Sequence, residues 1–159
     1  MSLIAVEPPH TPTTPPNAGT VTNDGFFPNI DLTNLRATMR LDGTVTHERL
    51  RDAAVSAIAD VNADLEAWAV RAITAGASKL EEVPAKQLDG KSINVMRYLT
   101  AVYRLARADL TERYRGFDAT NAGSREAEDN EAGIGDDRRT ARWAIRDILG
   151  KSRTTIELI

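Results

Sequence analysis

The sequence predicts an all-α protein: a three-to-four-helix bundle with an extended, Pro-rich N-terminal arm and a C-terminal tail that forms a strand on a partner. Three observations carry this reading. Apolar residues recur at helical spacing over three long stretches, six of the seven prolines fall in the first 28 residues, and the final residues alternate as a strand does.

The elements follow in order. Pro8, Pro9, Pro12, Pro15, Pro16 and Pro28, interleaved with threonines, favour extended over helical backbone, so residues 1–30 are expected to be an arm. Asp31 is a good N-cap for a short helix through Leu32, Leu35 and Met39 that ends near Asp42-Gly43. Thr46 caps the next helix, with Val45 and Leu50 as a hydrophobic staple and Glu48 at the positive end. Leu50, Ala54, Ile58, Val61, Leu65, Trp68 and Ile73 continue it to Gly76, about eight turns. Lys79 to Gly90, with Pro84 and Asp89-Gly90, reads as a connector with one loose turn at most. Ser92 caps a second long helix, whose stripe is Ile93, Met96, Leu99, Val102, Tyr103, Ala106 and Leu110. After a turn at Arg115 to Gly123, Ser124 caps a third, weakened at Gly133-Ile134-Gly135 and apolar at Trp143, Ile145 and Ile148. The bundle thus spans 31–150, and 151–159 is a tail.

In that tail Thr154, Ile156 and Leu158 face one way and Thr155, Glu157 and Ile159 the other. Such a segment needs a sheet edge, and a chain without strands of its own must find it on a neighbour. Arg153, Thr154, Thr155, Ile156, Glu157, Leu158 and Ile159 are therefore the expected docking residues.

Composition removes most chemistry. The chain has 159 residues, 42% of them hydrophobic, enough for one domain with a real core. No apolar run has the roughly 20 residues of a membrane helix, and Met1 to Glu7 lacks the basic and apolar regions of a signal peptide. With no cysteine and only His10 and His47, thiolate metal sites and most triads are excluded. His47 beside Glu48 lacks a nucleophile or metal-ligand spacing, and Gly133-Ile134-Gly135 matches no phosphate-binding loop. Trp68 and Trp143 fall in helical stripes and are expected in the core. No enzyme and no cofactor is expected.

Charge order suggests assembly instead. Arg125 to Asp137 carries net −5, through Glu126, Glu128, Asp129, Glu131, Asp136 and Asp137, and Arg138 to Arg153 carries net +5, including Arg138, Arg139 and Arg142. The order suits the helix macrodipole. It equally suits a contact in which the acidic half of one copy meets the basic half of the next and the repeat closes into a ring. Arg97, Arg104 and Arg107 share a face of the preceding helix and are expected to form a positive edge able to face a phosphate backbone. The alternative for them is a solvated or ion-paired face. The net charge of −3 predicts no blanket affinity for nucleic acid.

Three stretches together resemble one family: Met39–Leu50, Glu112–Thr120, and Ala141–Ile148 with the Ile156–Ile159 end. They look like the head completion protein of temperate contractile-tailed phages, the gpL type, over roughly residues 26–159; the arm and Ser124–Asp137 depart from it. The resemblance implies a virion protein at the head–tail junction, assembled in the host cytoplasm. It would bind the portal protein after packaging, help retain the double-stranded DNA and offer the surface on which the tail docks. It also implies a ring of copies, usually twelve, and contact with tail completion or terminator proteins. Two other roles fit the residues less directly, a tail-side completion or terminator protein and a DNA-binding packaging subunit.

Overall fold

A computed structural model describes the backbone of residues 19–115 and 124–152, and the side chains of 19–113 and 133–152. The described chain is mostly helical, with two small antiparallel sheets. In order, β1 (Thr20–Val21) and β2 (Ile30–Asp31) form the first sheet. Helices α1 (Leu32–Met39) and α2 (His47–Thr74) follow, then a 3-10 turn (Leu80–Glu82). The second sheet, β3 (Gln87–Leu88) and β4 (Lys91–Ser92), leads into α3 (Ile93–Arg115) and α4 (Ser124–Ile148).

The expected starts of α1 and α2 are realised chemically. Asp31 Oδ1 accepts from the Thr33 and Asn34 N–H groups at 2.8 and 3.1 Å, and Thr46 Oγ1 accepts from Arg49 N. Val45 and Leu50 are both buried, which completes the staple. α1 ends at Arg40, before Asp42-Gly43: Arg40 takes a left-handed φ of 54° and Leu41 N donates to Arg36 O. The Arg36 guanidinium then donates to the Asp42 and Val45 carbonyls and holds the turn into α2. Gly76, at φ 104°, follows the end of α2 where expected.

Three expectations are corrected. The expected arm boundary at residue 30 cuts through packed structure, because Val21, Phe26, Phe27 and Ile30 are core residues; residues 1–18 lie outside those described. The loop is built by Asp24, whose Oδ1 accepts from the Phe26 and Phe27 N–H groups, and by Gly25 at φ 99°. The expected connector contains a hairpin, with Asp89 and Gly90 both left-handed at φ 49° and 69°, the conformation a two-residue type I′ turn requires. Ser92 does not cap α3: it ends β4, and its buried Oγ has no hydrogen-bond partner among the described residues.

α3 lies between α2 and α4, which meet each other only marginally. Its centre is Tyr98, fully buried and absent from the expected stripe, whereas Met96 of that stripe is exposed. Phe27 stacks on Tyr98 at 4.7 Å, and Phe26 meets Phe27 and Trp68 edge-on. The Tyr98 hydroxyl donates to Asn62 Oδ1 at 2.6 Å and accepts from Asn23 Nδ2 at 2.8 Å, while Asn62 Nδ2 donates to Asn23 Oδ1. This closed triangle joins the first loop, α2 and α3 and satisfies the polar atoms that burial would otherwise penalise.

Candidate interaction surface

The polar chemistry of this molecule is concentrated on α4. Ile134, Ala141, Ala144, Ile145 and Ile148 form its buried face. Asp137, four residues before Ala141, lies on that same face and is buried. A buried carboxylate needs compensating charge, and α3 supplies it: Arg104 Nη1 lies 2.9 Å from Asp137 Oδ1, and Arg107 grips both oxygens through Nε and Nη2 at 2.5 Å. About three turns further on in α4, Arg97 reaches the Asp147 side chain at 3.7 Å and its carbonyl at 3.4 Å. Arg138 pairs back with Glu112 of α3.

This arrangement corrects two expectations. Arg97, Arg104 and Arg107 do share one face of α3, but it is the face that holds α4, and their charge is compensated within the chain. Their pairing fits the ion-paired face weighed as the alternative. Asp137, expected at a contact between copies, is likewise committed inside its own chain. Asp136 pairs along α4 with Arg139 at 2.6 Å. The side chains of Glu126, Glu128, Asp129 and Glu131, and the docking tail Arg153 to Ile159, lie outside the described residues.

The outer face of α4 holds what remains. Arg139 and Arg142 are exposed, and among the described residues no acid pairs with Arg142. Trp143 lies two residues past Ala141 and is therefore turned away from the buried face. It is half-buried but stands outside the core cluster, with the Arg139 guanidinium 5.4 Å from its ring centre. Trp143 thus departs from its expected core role, whereas Trp68 packs against the core. Arg146 reaches forward to the Ser152 carbonyl.

Elsewhere, burial raises the Tyr98 hydroxyl well above the ordinary tyrosine range and pushes Tyr103 up to about 12. The His47 ring sits against Gly19, where an added Cβ would come within 3.3 Å of it. Its Nδ1 is buried and has no hydrogen-bond partner among the described residues. Among the described residues no group of three or more histidine, aspartate and glutamate side chains is placed to hold a metal, and no helix is long and apolar enough to cross a membrane.

Fold and surface together define a small helical protein whose distinctive chemistry lies in ion-paired helix seams and an exposed arginine–tryptophan face. The model of the phage head completion protein family (GPL) matches residues 21–159, and the chain belongs to that family. It is 42% identical over 139 residues to the head completion/stabilization protein of Escherichia phage P2, covering 87% of this chain and 82% of the relative. No solved structure matches it. Membership makes it a structural head completion protein of a phage, a component of the virion.

Proposed function

We propose that this protein completes the DNA-filled head by assembling as a ring of twelve copies on the portal protein, where it helps retain the genome and presents the surface for the tail. Membership of the head completion family carries this reading. The tail Arg153 to Ile159 is the element proposed to dock on the portal by adding a strand, since its alternating side chains suit a sheet edge. Retention would come from closing the portal opening. The three arginines first expected on DNA pair with α4, and contact with packaged DNA is proposed to be non-specific.

Electron microscopy of purified DNA-filled heads incubated with the protein tests this. Added ring density at the portal vertex is the expected result. Density on isolated tails alone would move the protein to the tail side, as a partner or counterpart of the tail completion and terminator proteins.

A further inference from the structure

The order α2–α3–α4 leaves two long helix faces on different sides of α3, and they are chemical opposites. Between Arg51 and Arg71, α2 carries Asp52, Asp60, Asp64 and Glu66 and no basic residue. All four are exposed, and among the described residues only Asp52 has a cationic partner, Arg113 at 2.9 Å. Between the acids runs a smooth exposed line of small residues, Ser56, Ala59, Ala63 and Ala67, ending at Val70, which is 57% exposed. Small side chains allow another helix to approach closely. The outer face of α4 offers the complement, with Arg139 and Arg142 exposed around the indole of Trp143. Tryptophan and arginine are the residue types that most often anchor protein interfaces.

We propose that the Arg139–Arg142–Trp143 face of α4 docks on the α2 face around Asp60, Ala63, Glu66 and Val70 of the next copy. The occupant of each face is a second copy of this chain, because one molecule carries both halves of the match. Two different faces meeting make a heterologous contact, and such contacts repeat around a ring until they close. The inference rests on the ring assembly proposed above and replaces the contact first expected between acidic and basic halves of α4, since Asp136 and Asp137 are both paired within their own chain. Trp143 would supply the apolar anchor against the alanines, and the arginines would meet acids that have no cationic partner among the described residues.

The chain contains no cysteine, so introduced thiols report contacts without background. The full chain carrying both Ala63→Cys and Arg142→Cys, bound to DNA-filled heads and treated with a short bismaleimide, should give a ladder of covalent multimers beyond the dimer. Each single-cysteine variant should stay monomeric, because a head-to-tail contact never brings two copies of one position together. A second measurement uses charge: Asp60→Lys with Glu66→Lys should lower the occupancy of heads at least tenfold, and adding Arg139→Glu with Arg142→Glu to the same chain should restore it. Rings on wild-type heads without the ladder, dimers from a single-cysteine variant, or reversal without rescue would each overturn the proposed contact while leaving the portal reading intact. A ladder formed in solution, with no density at the portal vertex, would sustain the contact and overturn the portal reading.

Discussion

Removing the Asp137 carboxylate would leave the Arg104 and Arg107 guanidinium groups side by side with nothing between them. Breaking a buried pair costs about 3–5 kcal/mol, and the partial exposure of both arginines reduces this, so Asp137→Ala should lose about 2–3 kcal/mol. Urea unfolding followed by circular dichroism checks this; an unchanged midpoint would show that the pair contributes nothing net. The tyrosines give a pH signature. Tyr103 is raised to about 12 and Tyr98 is raised further, both chiefly by burial. Their contribution is therefore complete below pH about 10, where the denatured chain also keeps its protons. It falls by about 1.4 kcal/mol per pH unit per tyrosine as pH rises from there toward the folded value. Denaturant titrations at rising alkaline pH should show that slope in the wild type and a shallower one in Tyr103→Phe. The position of Asp137 was legible from the sequence, because the Ala141, Ile145 and Ile148 spacing fixes which side of α4 is buried and puts Asp137 on it and Trp143 off it. Reading charge as blocks along the chain, without helical phase, concealed both.

At the scale of elements, capping chemistry was the most readable. Asp31, Thr46 and Gly76 each stand at or next to the boundary where their local physics requires them, and α2 runs its expected length. What was not readable depends on distant partners. Phe26, Phe27 and Ile30 look like the end of a Pro-rich arm until Trp68, Leu80 and Tyr98 are brought over them. Asp89-Gly90 is a strong local turn signal, yet strands of two residues give no alternation from which to infer a hairpin. Gly90 tests that turn directly. Nothing lies within 4 Å of a Cβ added there, so Gly90→Ala meets only the left-handed backbone penalty of about 1–2 kcal/mol. The melting temperature should fall by about 2–4 °C for each kcal/mol. Gly90→Asn should lose less, because asparagine tolerates that conformation. Equal losses in the two variants would show that something other than backbone strain is at work.

For the molecule as a whole, the helical class was legible in the sequence, and so was the family, whose model matches residues 21–159. Which faces of the helices remain outside was not, since that depends on α3 lying between its neighbours. The proposed partner of the C-terminal tail is another protein. Deleting residues 154–159 should abolish binding to portal-bearing heads and leave the helical circular dichroism spectrum unchanged. Undiminished head binding by the truncated chain would remove the tail from the docking mechanism.

The two sides of α3 also set an order in which the native state comes apart. Apolar side chains line both contacts, but the one with α2 is largely aliphatic and aromatic, whereas the one with α4 adds the charged pairs of Arg97, Arg104, Arg107 and Glu112. Salt screens the charged pairs, least where they are buried. Backbone amides of residues 134–148 should therefore exchange with deuterium through a partial opening that widens in sodium chloride, while those of 54–69 hold out until global unfolding. Equal loss of protection in both segments would mean that α4 and α2 form one cooperative unit. The staged result would give the virion component a terminal helix that can be released without dissolving the rest of the subunit.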